Sequence, residues 1–357
     1  MKKLLCLLLT TALLCALPGC QSSRPPDGDE DLSLQIGVCT YDQYDTFISL
    51  LMERFHHYAR EKELETGMTI TISQEGAGGS QVAQNTQVEN FIKAGCDILC
   101  VNLVDRTDAS FIIDKAEAAG IPVLFFNREL VEEDLERCDD LYYVGAEAKA
   151  SGQLQGQLAA RLLADHMDEV DKNGDGTLQY VMLEGEAGHQ DAIFRTEYSI
   201  STLTAAGYEV QRLASEIAGW SRARAETKMT QWMDQYGIFP ALVDEGCIEL
   251  VFANNDDMAL GAIDALEKAN LSQTNWPLII GIDGTREGLA AVKNGKMAGT
   301  VLNNADGQGR ALLELAVSLR AQTPLPEEMT LEDGRYVRLP YLPVTPGNVD
   351  EYIALYS

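Results

Sequence analysis

Five oxygen-bearing residues, Asp171, Asn173, Asp175, Thr177 and Gln179, stand at alternate places in the segment Asp171-Lys-Asn-Gly-Asp-Gly-Thr-Leu-Gln179. This puts side-chain oxygens at loop positions 1, 3, 5 and 9, a glycine at 6 and an exposable carbonyl at 7, the pattern with which a tight turn aims hard ligands at Ca²⁺. A calcium ion takes about six to eight such oxygens. Position 12 of an EF-hand loop is a bidentate Glu, but Met182 stands there. The run Leu178–Leu183 reads as a strand, not an exit helix. The loop would therefore take its last carboxylate from elsewhere in the chain. The alternative is a solvated acidic turn, since Asp, Asn and Gly favour turns on their own account.

A second set of residues suits a neutral polyol. Buried sugar hydroxyls need partners, because each unpaired polar group costs about 1–3 kcal/mol. Carboxylates and amides each offer two polar atoms, and aromatic rings cover the C–H faces of a sugar. The chain offers Asp45 and Phe47, Asn127, the cluster His189, Asp191 and Arg195, then Trp220, Asn255, Asp283 and Asn303. Several have an ordinary reading when taken alone. His189 could be a surface histidine, Trp220 could be core, Arg195 with Asp191 could be a surface ion pair of little energetic value, and Asn127, Asn255 and Asp283 could be turn formers.

The elements that must position these residues alternate along the chain. Leu34–Cys39 reads as a strand followed by a helical pattern from about Thr46 to Glu65. Asp97–Val101 precedes a helix that Gly120 stops, and Ile121–Phe126 is again strand-like. This order implies a parallel sheet covered on both faces. The second half repeats it: Gly246-Cys247-Ile-Glu-Leu-Val-Phe-Ala-Asn254-Asn255 answers Gly95-Cys96-Asp-Ile-Leu-Cys-Val-Asn102, and Asp283 ends a strand as Asn127 does. Two similar α/β lobes are expected. Ligands of open parallel sheets sit beyond the carboxyl ends of the strands, so Asn127, Asn255 and Asp283 would face a common cleft.

Lys2 and Lys3 precede an apolar run, Leu4–Leu17, too short for a comfortable membrane span and suited to a signal peptide. The run ends in Leu17-Pro-Gly19-Cys20, which resembles a bacterial lipobox with Cys20 as the lipidated residue. Ordinary secretion with cleavage nearby is the alternative. Residues 21–32 are polar and read as a tether of roughly 40 Å at full extension. The 357 residues carry a formal net charge of −28, and loss of the two signal-segment lysines takes it to −30. Nucleic-acid phosphates would be repelled. Cys39, Cys96, Cys100, Cys138 and Cys247 remain beyond Cys20, an odd number without metal-type spacing, and free thiols are expected. The adjacent His56 and His57 point to different helix faces and do not make a zinc pair.

Over nearly its whole mature length the chain resembles the periplasmic glucose/galactose-binding proteins of bacterial ABC importers. The segments Tyr-x-x-Tyr-Asp-x-Phe, Phe-Phe-Asn, Tyr-Tyr-Val-Gly, Glu-Gly-x-x-Gly-His-x-Asp, Asn-Asn-Asp and Gly-Thr-Val-Leu-Asn carry the likeness, in that order. The resemblance implies an α/β type I periplasmic binding protein, two Rossmann-like lobes with parallel sheets joined by a three-crossing hinge near Gly145, Lys296 and Arg338. The signal peptide would be 1–19 and the lipidated tether 20–32. The N-terminal lobe would be 33–145 plus 303–338, and the C-terminal lobe 146–302 plus 339–357. Phe47 and Trp220 would sandwich a pyranose, and Asp45, Asn127, His189, Asp191, Arg195, Asn255, Asp283 and Asn303 would bond its hydroxyls and ring oxygen. Ca²⁺ would lie on Asp171, Asn173, Asp175, the Thr177 carbonyl and Gln179, with Glu249 as the bidentate ligand. The implied protein is a monomeric, non-enzymatic lipoprotein on the extracytoplasmic side of a membrane, handing glucose or galactose to an ABC permease. A sensory partner such as a chemoreceptor or kinase is the first rival, and a calcium-dependent carbohydrate-active enzyme the second. A repressor of similar lobe fold is disfavoured, because a signal peptide stands where DNA-binding helices would be.

Overall fold

The computed structural model describes residues 33–239 and 247–356, so the signal segment, Cys20 and the tether lie outside the described residues. The first lobe begins β1 (Ser33–Thr40), α1 (Thr46–Thr66), β2 (Thr69–Gly76), α2 (Gln81–Ala94), β3 (Ile98–Val101) and α3 (Ser110–Ala119). It continues with β4 (Val123–Phe126), the single turn α4 (Glu132–Leu135) and β5 (Leu141–Gly145). The second lobe holds α5 (Ala148–Val170), β6 (Thr177–Glu184), α6 (Gln190–Ala205), β7 (Glu209–Ile217), α7 (Arg222–Tyr236) and β8 (Leu250–Ala253). Then follow α8 (Asp256–Lys268), β9 (Leu278–Ile280), α9 (Arg286–Lys293) and β10 (Thr300–Leu302). The chain returns to the first lobe for α10 (Ala305–Ala321) and β11 (Tyr336–Arg338), and to the second for β12 (Leu342–Val344) and α11 (Val349–Ile353).

The first sheet runs β11-β5-β4-β3-β1-β2 with every pairing parallel. The second runs β7-β6-β8-β9, also parallel, and bridges at Ile280–Gly299 and Asp283–Leu302 carry it on to β10 and the antiparallel β12. Parallel strands need a helix for each return, which is why strand and helix alternate in the sequence. Successive strand residues point to opposite faces. In β6, Leu178, Tyr180 and Met182 pack with Leu158 of α5 and Leu203 of α6, whereas Val181 and Leu183 join Trp232 of α7 and Met258 of α8. Both faces of the central strands are buried, so β3, β4 and β8 are apolar throughout, whereas the edge strands β2 and β7 carry polar residues. The helix stop expected at Gly120 is present: its φ of 64° is left-handed and its N–H closes on Ala116 and Glu117. Cys39, Cys96, Cys100 and Cys247 are buried free thiols and Cys138 is half-buried.

The chain passes between lobes after Gly145, between Leu302 and α10, and between Arg338 and β12. The first and third crossings lie side by side, the Leu339 N–H donating to the Gly145 carbonyl at 2.8 Å. Lys296 is not at a crossing. It sits in the turn before β10, within the second lobe, paired with Glu267 at 2.6 Å. The hinge strand expected there falls a few residues later, because the three residues of β10 first complete the second sheet.

One buried carboxylate ties together the strand ends that matter. Asp256 accepts from the Thr285 N–H at 2.8 Å and from the Thr285 and Thr300 hydroxyls at 3.2 and 2.6 Å. It thereby joins the start of α8 to the segment after β9 and to the first residue of β10. A Cβ on Gly281 or Gly288 would meet its carboxylate at 2.3 and 2.0 Å, so glycine is required at both places. Burial pushes the Asp256 carboxyl up to about 7, against the pull of the Thr300 and Thr285 donors.

Candidate functional site

Between the lobes lies a cavity with about 340 Å³ of space free of protein atoms, its mouth included. Nine of the ten expected sugar residues line it: Asp45, Phe47, Asn127, His189, Asp191, Arg195, Trp220, Asn255 and Asp283. Each follows the carboxyl end of a parallel strand: Asp45 and Phe47 after β1, Asn127 after β4, the His189 group after β6, Trp220 after β7, Asn255 after β8 and Asp283 after β9. The tenth, Asn303, is buried just past β10 and accepts from Gln308 Nε2 at 2.6 Å, outside the cavity wall.

Three of these side chains also cap helices. Asp45 Oδ1 takes the Ile48 N–H at 2.8 Å, His189 Nδ1 the Asp191 N–H at 3.1 Å, and Asn255 Oδ1 the Met258 N–H at 2.9 Å. The cap fixes the imidazole as well. With Nδ1 accepting, the neutral ring carries its proton on Nε2, and burial together with the Arg128, Arg195 and Arg106 charges holds His189 well below its usual pKa. His189 is therefore a neutral hydrogen-bond donor, edge-on to Trp220 at 5.1 Å between centroids. Asn127, Trp220 and Asp283 have φ values of 60°, 63° and 121°, a region that L residues seldom enter. Asp283 is held there by its N–H to the Val301 carbonyl at 2.8 Å and by the Asn303 N–H to its own carbonyl at 3.0 Å. Trp220 needs Gly185 beneath it, since a Cβ there would meet the indole at 2.1 Å.

Arg195, 3 % exposed, is the centre of the polar wall. Nη2 donates to Asp191 Oδ2 at 2.9 Å and to the Tyr341 hydroxyl at 3.4 Å, and Nη1 donates to the Asn254 carbonyl at 2.7 Å and to Asp283 Oδ1 at 3.4 Å. Nε reaches Ser151 Oγ at 3.2 Å. Burial opposes the charge, but Asp191, Tyr341 and Asp283 raise the Arg195 pKa further and keep it protonated. Burial pushes Asp191 and Asp283 upward, and Arg195 offsets it in both.

Arg128, which the sequence reading did not single out, also lines the cavity, as do Tyr41 and Ile48. Its guanidinium lies 3.6 Å from the Tyr41 ring centre, donates to the Val104 carbonyl at 2.9 Å and crosses the cleft to Glu186 at 2.7 Å. Thr46 to Asp257 at 2.6 Å and Arg286 to Glu53 at 2.7 Å are further bonds between the lobes. The only local signal for Arg128 was its place directly after Phe-Phe-Asn127.

The Asp171 loop is a tight turn held by its own side chains. Asp171 accepts from the Gly174 and Gly176 N–H groups at 2.7 and 2.9 Å, Asn173 Nδ2 lies 2.9 Å from Asp175 Oδ2, and Gln179 Nε2 lies 2.9 Å from the Thr177 carbonyl. Gly174 and Gly176 take the left-handed turns, with φ of 73° and 78°. The buried Glu249 takes the Lys172 and Gln179 N–H groups at 2.7 and 2.9 Å, so its carboxylate belongs to the same loop. Burial and then Asp171 push Glu249 upward against those two donors. Among the described residues no three His, Cys, Asp or Glu side chains alone form a metal-holding group. The amide oxygens and the Thr177 carbonyl would have to complete any coordination shell, which is the donor chemistry Ca²⁺ accepts.

Two parallel-sheet lobes closing over a polar, aromatic-walled cavity define a bilobal solute-binding protein. Residues 36–323 match the family described as periplasmic binding protein domain, and the chain belongs to it. It is 35 % identical, over 97 % of its length and 98 % of the relative's, to the D-galactose/methyl-galactoside binding periplasmic protein MglB of Haemophilus influenzae. A putative rhizopine-binding protein of Rhizobium meliloti is 31 % identical over 86 % of this chain and 89 % of that one. Among solved structures, an ABC transporter solute binding protein from Bacillus halodurans with bound myo-inositol superposes with a TM-score of 0.72 at 30 % identity, covering 92 % of this chain and all of that one. These relatives are solute-binding proteins, so a non-enzymatic role follows at the level of the family, which is also extracytoplasmic.

Replacing Arg195 with Met strands two buried carboxylates. We expect the variant to lose about 3–5 kcal/mol of unfolding free energy in urea titration, as when one partner of a buried pair is removed. A loss below 1 kcal/mol would mean that the guanidinium does not hold this wall together.

Proposed function

We propose that this protein is the solute receptor of an ABC importer and that its ligand is a neutral hexose, D-glucose or D-galactose. The observation that carries the reading is the lining of one cavity. Phe47 from one lobe and Trp220 from the other supply apolar faces, while Asp45, Asn127, His189, Asp191, Asn255 and Asp283 supply hydroxyl partners of both polarities. The Arg195 guanidinium is committed to carboxylates, which leaves an anionic ligand facing a negative wall. The Haemophilus relative's name, and its 35 % identity over almost the full length, support galactose among the possible hexoses. Walls from both lobes mean that closing about the crossings at Gly145, Leu302 and Arg338 would surround the sugar.

Calorimetric titration against a monosaccharide panel tests this. Wild type should bind a free hexopyranose and ignore sugar phosphates, nucleotides and amino acids. Trp220→Ala should weaken hexose binding by roughly 2–4 kcal/mol, the loss expected of a buried aromatic anchor. Tight binding of a sugar phosphate, or undiminished hexose affinity in Trp220→Ala, would overturn the assignment.

The same proposal includes a structural Ca²⁺ on Asp171, Asn173, Asp175, the Thr177 carbonyl, Gln179 and Glu249. The support is the spacing of the loop's oxygen-bearing residues, together with the carboxylate of Glu249, which accepts from the Lys172 and Gln179 N–H groups of the same loop. An ion bound only by the folded state stabilises it with the logarithm of free metal over Kd. Chelator should therefore lower the melting temperature, and Glu249→Gln should remove most of that sensitivity. A melt unchanged by chelation rejects the ion.

Anchoring through Cys20 completes the proposal, on the strength of Leu17-Pro-Gly19-Cys20 alone. Cys20→Ser should move the protein from the membrane to the soluble fraction. Retention in high-salt-washed membranes would rule out a lipid at that residue.

A further inference from the structure

Two ion pairs of unlike burial cross between the lobes. Arg286 and Glu53 meet at 2.7 Å with side chains 45 % and 51 % exposed. Arg128 and Glu186 meet at the same distance, but the Arg128 side chain is 6 % exposed against 50 % for Glu186. An exposed pair gains little, because water screens it and two long side chains lose their freedom. A guanidinium inside the seam is different, since its charge opposes burial unless a carboxylate compensates it. Arg128 has few other partners. Nη1 donates to the Val104 carbonyl at 2.9 Å, and Nε is buried with no acceptor among the described residues. Asp191 lines the same cavity but is already bonded to Arg195 at 2.9 Å. The compensating carboxylate is therefore Glu186, which comes from the opposite lobe and does not line the sugar cavity.

Separating the lobes would return Arg128 to water, and closing them would desolvate it again, so the pair forms as the cleft shuts. The same guanidinium lies 3.6 Å from the Tyr41 ring centre, and the Tyr41 hydroxyl donates to Asp45 Oδ2 at 2.6 Å. A contact on the seam thus continues to a carboxylate of the sugar wall. We propose, resting on the hexose reading above, that Glu186 is a positioning residue for sugar binding: without touching the ligand, it compensates Arg128 as the lobes close and so sets how long the sugar is held. Its effect falls on dissociation, because the sugar meets the open cleft before the pair forms.

Stopped-flow tryptophan fluorescence of the full mature protein with glucose and with galactose tests this. Glu186→Gln keeps the side-chain shape but leaves the guanidinium uncompensated, and should speed dissociation at least fivefold with association within twofold of wild type. Glu186→Asp should recover part of that loss. Arg128→Met should also speed dissociation, yet Arg128→Met with Glu186→Gln should lose less than the product of the two single effects, since the stranded charge is gone. Glu53→Gln, in the exposed pair, should stay within twofold of wild type. If hexose binds and Glu186→Gln dissociates within twofold of wild type, or the double variant loses the full product, the role of Glu186 is refuted and the hexose reading stands. If no hexose binds to wild type, the hexose reading fails and the role of Glu186 falls with it.

Discussion

The cleft depends on one buried cation. Arg195 is carried on α6 of the second lobe, yet its donors reach Asp191 on its own helix, Asp283 after β9, the Asn254 carbonyl after β8, Ser151 on α5 and Tyr341 before β12. A desolvated guanidinium is tolerable only when its planar fork is filled, and filling it gathers the ends of several strands to one point. The carboxylates gain equally. Burial pushes Asp191 and Asp283 toward the protonated form, and the shared positive charge works against that push in both. Recognition and local stability are thus one network.

Backbone conformation reinforces it. Asn127, Trp220 and Asp283 sit at positive φ where a strand gives way to its loop, and each is held by neighbours that leave little choice. Trp220 lies against Gly185, and Asp283 is clamped between the Val301 carbonyl and the Asn303 N–H. The Asn127 carbonyl receives the Tyr143 hydroxyl at 2.8 Å. Strain of this kind persists only where the surroundings over-determine it, and the clamps come from strands whose order is set by the hydrophobic core. Asp256 extends the same logic one layer deeper, tying β10 to the start of α8 without touching the cavity.

Much of this could be read from the chain because it is local. Strand and helix alternation, the stop at Gly120, the oxygen spacing of the Asp171 loop and the residues after each strand all follow from periodicity and turn chemistry. What escaped depends on distant partners. Arg128 gained its meaning from Glu186, 58 residues away, and from a tyrosine on another strand end. Glu249 meets the loop across 70 residues, and only the family resemblance pointed to it. Lys296 was misplaced because β10 is three residues long, too short for an alternating pattern to declare itself before Asn303. Asn303 has the expected residue type, and its side-chain oxygen accepts from Gln308.

Asp45, His189 and Asn255 each start a helix and line the cleft with the same side chain. This has an evolutionary consequence. Drift at Asp45 or Asn255 is filtered first by the helix, which accepts Ser, Thr, Asp or Asn and is weakened by about 1 kcal/mol when an apolar residue enters. Every member of that permitted alphabet is also a hydroxyl-binding group. Descendants of this cleft can change which polyol they hold more easily than they can stop holding polyols, because the grammar of helix starts has already restricted the vocabulary of the site.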